Sequence, residues 1–194
     1  MSVSRETEPQ LRQYVELLLH WNQRQNLIGR STETEVWERH ILDSAAFAAF
    51  LPDRGARIAD LGTGAGFPGM VLAMLGYRDV HLVESDSRKC AFLQQVRLAT
   101  GTPVTIHTAR IETLAALNAD VVTARACAPL PLLLNYAAVV ARPGAKLLLG
   151  KGRRWESEVA AATKEWTFTL AVHMISDTHG TVILDIGDCK RVGA

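Results

Sequence analysis

Asp60-Leu61-Gly62-Thr63-Gly64-Ala65-Gly66-Phe67-Pro68-Gly69 follows directly on the apolar run Arg57-Ile58-Ala59. Glycines at 62, 64, 66 and 69 let a backbone turn tightly and approach a ligand with no Cβ in the way. Pro68 suits the first turn of a following helix, and the N-terminus of such a helix favours negative groups. About twenty residues later a second apolar run ends in Glu84, an acid placed to accept hydrogen bonds from ribose hydroxyls. The stretch therefore reads as a strand–loop–helix turn that holds a nucleotide-like ligand. A turn with so many glycines and no ligand would sacrifice backbone entropy without return.

Outward from this loop, short apolar runs alternate with helical periodicity. Strands are expected at Arg57–Leu61, Val80–Glu84, Val104–His107, Asp120–Ala124 and Lys146–Leu149. Helices are expected at Pro68–Leu75, Asp86–Ala99, Leu130–Val140 and Trp155–Lys164. Such alternation implies a parallel sheet with helices on both faces. The end of the chain breaks the pattern: Thr167–Ile175 and Thr181–Ile186, separated by Ser176-Asp177-Thr178-His179-Gly180, read as a β-hairpin. Before the loop, Leu11, Tyr14, Val15, Leu18 and Trp21 recur at helical spacing. A second helix is expected from Thr32, with Glu35 completing a capping box and Val36, Ile41, Phe47 and Phe50 on its apolar face, closed by Pro52 and Gly55. The whole reads as one domain over 1–194, with a helical cap at 1–52 and a Rossmann-like core at 57–194.

Composition bounds the function. The 194 residues are 48% hydrophobic and 21% charged with a net charge of +1, which suits a globular domain and is weakly basic for a protein that grips nucleic acid mainly through phosphates. The basic excess lies late, around Arg142, Lys146, Lys151, Arg153, Arg154 and Lys190–Arg191. No apolar run is long enough for a membrane span, and Met1–Glu8 is polar and acidic, unlike a secretory signal. Cys90, Cys127 and Cys189 are scattered, which argues against a disulfide framework or a zinc knuckle. A reducing, cytoplasmic location and a monomer are expected, with no membrane and no metal.

Two ligands fit the loop. Gly64-x-Gly66-x-x-Gly69 matches the dinucleotide fingerprint of an NAD(P)-dependent oxidoreductase. Asp60-x-Gly62-x-Gly64-x-Gly66 instead resembles the first motif of class I S-adenosylmethionine-dependent methyltransferases. Register favours the second, because a dinucleotide strand should run straight into the first glycine of its fingerprint, and here Asp60 and Gly62 come earlier. The terminal hairpin favours it too. The expected architecture is α/β, a seven-stranded, mostly parallel sheet with a C-terminal antiparallel hairpin and two N-terminal helices.

An ordered set of motifs resembles one family, the RsmG-type small-subunit rRNA guanine-N7 methyltransferases, also called glucose-inhibited division protein B. The set is Trp21-Asn22 with Asn26-Leu27, Arg39-His40-Ile41-Leu42-Asp43-Ser44, the glycine loop through Pro68-Gly69, Glu84-Ser85 with Arg88-Lys89-x-x-Phe92-Leu93, Arg125-Ala126 and Lys151-Gly152. It covers most of the chain from about residue 11. Departures are Ile28 where the family often has Thr, Ala65 where it often has Pro, and Cys127 where an aromatic is common.

The resemblance implies methyl transfer from S-adenosylmethionine, leaving S-adenosylhomocysteine, to N7 of a guanine in the decoding-region loop of 16S rRNA, with the rRNA expected in a small ribosomal subunit or its precursor. The residues are compatible with it. Guanine N7 has a lone pair and no proton, so no general base is required, only in-line placement. After the fourth strand the chain reads Thr123-Ala124-Arg125-Ala126-Cys127-Ala128-Pro129, without the Asn/Asp-Pro-Pro-aromatic motif typical of exocyclic-amine methyltransferases. By the same resemblance Asp60, Gly62, Thr63, Gly64, Gly66 and Phe67 line the cofactor's methionine and ribose, Glu84 holds the ribose hydroxyls, and Ile111 and Glu112 sit by the adenine. Arg125 faces the pocket and contacts cofactor or guanine. His40, Asp43 and Ser44, at three- and four-residue spacing, share a helix face that reads either as a polar network docking the N-terminal helices on the sheet or as a surface over the methyl site, and Lys151, Arg153 and Arg154 contact phosphate in the second reading. Cys127 reads as a small thiol more readily than as the nucleophile of a pyrimidine C5 methyltransferase. A non-catalytic RNA-binding or assembly factor is a further reading of the same residues.

Overall fold

The computed structural model describes residues 7–176 and 180–193. The polar residues 1–6 and the tip of the expected hairpin turn, Asp177–His179, lie outside the described residues.

The core is a seven-stranded sheet in the order β3-β2-β1-β4-β5-β7-β6. Its strands are β1 Arg57–Leu61, β2 Asp79–Glu84, β3 Thr105–Thr108, β4 Ala119–Arg125, β5 Ala141–Lys151, β6 Trp166–Ser176 and β7 Thr181–Arg191. The first five strands are parallel, and β7 runs antiparallel between β5 and β6. This departs from the 3-2-1-4-5-6 order of dinucleotide-binding sheets, because β7 is inserted ahead of β6. The central strands carry near-continuous apolar runs because both faces are covered; Ile58, Ala59 and Leu61 of β1 are all fully buried.

Helices α1 Glu8–Asn22, α2 Asp43–Ala46, α3 Gly69–Met74 and α4 Ser87–Thr100 belong to one face, and α5 Leu130–Val140 and α6 Trp155–Ala162 to the other. The first face buries Leu11, Tyr14, Phe47, Met70 and Phe92, and the second Leu61, Leu133, Leu149 and Leu184. In α1 the spacing Leu11, Tyr14, Leu18 puts three fully buried side chains on one stripe.

Three expectations are corrected. The second helix is not one helix but a broken helical run: a 3-10 turn at Arg30–Glu35, a π-helical turn at Trp37–Leu42, α2, and a 3-10 turn at Phe47–Ala49. The capping box does not form, because the Thr32 hydroxyl donates to the Gly29 carbonyl (2.7 Å) and also meets His40 Nε2 (3.0 Å). The fifth strand starts at Ala141, not at Lys146, with an irregular register against β4 between Ala119 and Val121 that absorbs Pro143 and Gly144.

Candidate active site

The carboxyl ends of the parallel strands, where open α/β sheets collect ligands, carry the site. Asp60 at the end of β1 is fully buried. Its carboxylate accepts from the Thr63 hydroxyl (2.5 Å), the Thr123 hydroxyl (2.8 Å) and the Gly69 N–H (2.9 Å). One side chain thus ties the glycine loop to β4 and to the start of α3. Burial raises its pKa to about 6 against the pull of those bonds and of Arg125. With its carboxylate fully buried, Asp60 anchors the loop from beneath, where the motif places it along the cofactor. Thr63 is buried in the same way, through its bond to Asp60 and its N–H to the Val83 carbonyl (3.0 Å).

The glycines earn their places by contact. A Cβ at Gly69 would stand 2.4 Å from Leu82 Cδ2 and 2.8 Å from Asp60 Cβ, so α3 packs against the sheet only without one. Gly62 has φ +58°, and a Cβ there would stand 2.2 Å from Cys127 Sγ. Gly64 N–H donates to Glu84 Oε2 (3.0 Å), and Asp86 N–H donates to Oε1 (2.8 Å). Each Glu84 oxygen keeps a lone pair for a further donor.

Two clefts meet here. The first, about 490 Å³, is lined by Gly62, Glu84, Ile111, Glu112 and Tyr136, among others, within the usual range for small-molecule sites. The second, about 510 Å³, is lined by His40, Asp43, Arg125, Lys151 and Arg154, among others. Both are walled by the turn Ala126-Cys127-Ala128-Pro129 after β4. Ala126 has φ +51°, a left-handed conformation uncommon outside glycine and a strain that clusters at functional sites. Cys127 stands half-buried on the wall, and burial, then Asp60 and Glu84, push its thiol pKa up, which works against a thiolate nucleophile. In the first cleft Glu112 accepts from the Tyr136 hydroxyl (3.0 Å), and its own backbone N–H and Tyr136 hold its pKa low.

The first cleft therefore gathers Gly62, Glu84, Ile111 and Glu112, as expected. Phe67 is elsewhere. It is buried, with Tyr14 at 5.4 Å, His40 at 5.1 Å and the Arg125 guanidinium at 5.1 Å from its ring. It is a platform between cap and sheet, because the bulk of an aromatic ring fills the space under the helical run. Gly66 likewise points its absent Cβ toward the Tyr14 hydroxyl (2.8 Å), and that hydroxyl donates to the Ala65 carbonyl.

In the second cleft His40 and Asp43 line the space, but Ser44 is fully buried and does not join them. Arg125 Nη1 donates to the Arg39 carbonyl (2.7 Å), and Nη2 contacts His40 Nδ1 closely. Burial, then Arg125 and Arg39, push the His40 pKa down to about 3. Arg125 lines this cleft and not the first.

Lys151 is also corrected. It is 6% exposed, and its ammonium donates to the Ala128 carbonyl (2.6 Å) and to Glu158 Oε2 (2.8 Å). The same Glu158 oxygen accepts the Leu130 N–H (2.8 Å). The cation is spent on holding the shared wall, because a buried ammonium needs internal partners. Arg153 and Arg154 are exposed.

Residues that sequence reading missed are Tyr14, Thr123 and Glu158. Tyr14 carries only the helical periodicity of a core position. Thr123 sits mid-strand among apolar residues, and a hydroxyl there signals a buried partner. Glu158 lies seven residues after Lys151 across a strand–helix turn, a spacing with no local signature.

Among the described residues no helix is long and apolar enough to cross a membrane. A family described as rRNA small subunit methyltransferase G (GidB) matches residues 7–183. A protein of Paramagnetospirillum magneticum named ribosomal RNA small subunit methyltransferase G is 50% identical over 182 residues, covering 93% of this chain and 89% of its own. A protein of the same name from Rhodospirillum centenum is 51% identical over 165 residues, covering 85% and 76%. Among solved structures, a SAM-dependent methyltransferase from Aquifex aeolicus superposes with a TM-score of 0.61 at 16% identity, covering 75% of this chain and 90% of that one. M. jannaschii TYW2 in complex with AdoMet superposes at 0.62 with 14% identity, covering 80% and 78%. At such identities these likenesses concern the fold.

Proposed function

Since the chain belongs to the rRNA small subunit methyltransferase G family, we propose that it transfers a methyl group from S-adenosylmethionine to N7 of a guanine in the decoding-region loop of 16S rRNA. The observation that carries this reading is the pair of clefts sharing the Ala126–Pro129 wall, one suited to a nucleoside, the other to a base.

The first cleft fits the donor. Glu84 offers a lone pair on each oxygen to a ribose diol, Ile111 and Glu112 stand where an adenine edge would lie, and Gly62 leaves the space a Cβ would close. S-adenosylmethionine supplies a methyl on a positively charged sulfur. The second cleft takes the base. There the N7 lone pair would form the new N–C bond as the methyl left sulfur with the electron pair staying on sulfur, and the guanine ring would become cationic. No proton moves, so the chain need only align the partners. Asp43, lining this cleft, is placed to favour the charge that develops on the base, and Arg125 to hold an oxygen of the nucleotide. Arg154 on the rim, with the exposed Arg153 next to it in the chain, meets RNA phosphate.

The test is direct. The protein is incubated with radiolabelled S-adenosylmethionine and small ribosomal subunits lacking native methylation, alongside naked 16S rRNA, and the labelled nucleoside is identified by mass spectrometry. Label in 7-methylguanosine is expected. Label in another nucleoside overturns the N7 assignment, and retained donor binding with no label on either acceptor overturns the rRNA assignment.

A further inference from the structure

We propose that His40 is a positioning residue: its ring fixes the Arg125 guanidinium in the acceptor cleft, so that cap and sheet together present one set donor to the nucleotide. The inference rests on the methyl-transfer reading for its kinetic effect, but its structural half does not.

Proton accounting leads to it. An arginine can only donate, so in the close contact between Arg125 Nη2 and His40 Nδ1 the imidazole nitrogen is the acceptor. The ring proton therefore sits on Nε2. From there it points at Thr32 Oγ1 (3.0 Å), whose own hydrogen goes to the Gly29 carbonyl (2.7 Å). The Gly29 carbonyl also accepts the Thr32 N–H (2.8 Å), so the far end of the relay from the cap to β4 is fixed by backbone. The second Arg125 anchor is the Arg39 carbonyl (2.7 Å), offered by the π-helical turn Trp37–Leu42, an irregularity frequent at functional sites. Phe67 completes the seat: the imidazole lies over its ring at 5.1 Å and 23°, and the guanidinium lies 5.1 Å from the same ring.

Burial first, and then the charged groups facing the imidazole, keep it neutral. Arg125 and Arg39 both oppose a second proton, and Asp43 acts on Arg125. A protonated ring would turn an N–H toward the guanidinium and remove the anchor. The arrangement matters because a loose arginine side chain loses rotamer entropy when it is fixed, which a seated one does not lose again when the nucleotide arrives. The remaining Arg125 donors are left for the cleft it lines.

Three replacements separate the roles of the ring. In His40→Asn the side-chain oxygen takes the place of Nδ1 and keeps an acceptor for Arg125. In His40→Gln the carboxamide reaches the place of Nε2 and keeps the link to Thr32 only. His40→Phe keeps the stack on Phe67 and neither nitrogen. Each is assayed for methyl transfer to undermethylated small subunits, for S-adenosylmethionine affinity and for Tm. The expected result is kcat/KM for the subunit within about threefold of wild type for Asn and lowered about tenfold or more for Gln and Phe, with donor affinity unchanged in all three. Equal loss in all three, or losses that follow Tm, would overturn the proposal. A second measurement needs no activity: the imidazole nitrogens of the full chain are read by nitrogen NMR. They should show the Nε2-protonated tautomer in wild type and a mixed, more readily protonated ring in Arg125→Ala. A ring unaffected by loss of Arg125 sinks the inference even if transfer is normal. Failure of the wild-type transfer with the expected spectrum overturns the methyl-transfer reading alone.

Discussion

On the β2 side of the Ala126–Pro129 turn the cleft is shaped by Gly62 and by backbone N–H groups aimed at Glu84; on the β5 side it is shaped by long side chains that arrive from distant segments. His40 and Arg125 meet across 85 residues of chain, while Gly64 and Glu84 meet across 20. A backbone-built cleft is sensitive to added atoms, because nothing in it can step aside. A side-chain-built cleft is sensitive to removed ones, because each buried charge in it leans on a partner. Two buried ionic anchors support the two halves: Asp60 under the glycine loop, and the Lys151–Glu158 pair behind the wall the two clefts share.

The hardest break is at Asp60. Asp60→Ala strands two hydroxyls and one N–H in a fully buried place, and should cost about 3–5 kcal/mol in urea unfolding and abolish donor binding. Asp60 and His40 also carry opposite pH signatures. The Asp60 pKa in the folded chain lies above its ordinary 3.8, so its contribution is full below that value and declines as pH rises through about 6. The His40 pKa lies below its ordinary 6.5, so its contribution is full above that value and is lost as pH falls toward about 3. Asp60→Asn should therefore steepen the gain in stability as pH rises from 4 to 6, and His40→Asn should flatten it, read as urea midpoints across that range. The same slope in both variants would contradict the assignment of these two groups.

Lys151→Ala should rank next, at about 2–4 kcal/mol, because it leaves Glu158 without its cation in a mostly buried place. Since Lys151 and Glu158 hold the wall common to both clefts through Ala128 and Leu130, donor affinity and transfer should fall together. Transfer lost with donor affinity intact would return Lys151 to phosphate contact. Gly62→Ala follows at about 2 kcal/mol, combining left-handed backbone with a clash against Cys127 Sγ. It should weaken donor binding with a smaller effect on RNA affinity. Adding Cys127→Gly should recover part of the loss, and no recovery would place the cost in the backbone alone.

The backbone-built half was the more legible in sequence. Glycines after an apolar run, followed at a set distance by an acid, report a strand–loop–helix turn through local chemistry, and β1, β2 and Leu130–Val140 fall within a residue of expectation. The cap was less legible because its helical run takes its shape from tertiary contacts. Thr32 bonds to His40 and not to its own helix start, and the run shifts among 3-10, π and α turns so that His40, Asp43 and the Arg39 carbonyl reach β4. Lys151 was misread for a related reason. A basic residue in a basic stretch looks solvated until a partner seven positions on is brought beneath it, and Asp60 looks open to the loop until Thr123, from three strands later in the chain, closes over it.

The smallest expected effect sharpens the comparison most, because it isolates the rim from the walls. Arg154 lines the acceptor cleft and is exposed, with no ion pair among the described residues. Its removal should leave stability within about 0.5 kcal/mol of wild type and donor affinity unchanged. If it meets phosphate, Arg154→Ala should weaken 16S rRNA binding at low salt, and the slope of log affinity against log salt should become shallower by about one. That salt slope is the discriminating quantity. A wall residue such as Lys151 would lower affinity at every salt concentration by deforming the cleft, leaving the slope as it was. An unchanged slope for Arg154→Ala would remove the phosphate role from this rim and leave recognition to the base-sized cleft and its seated Arg125.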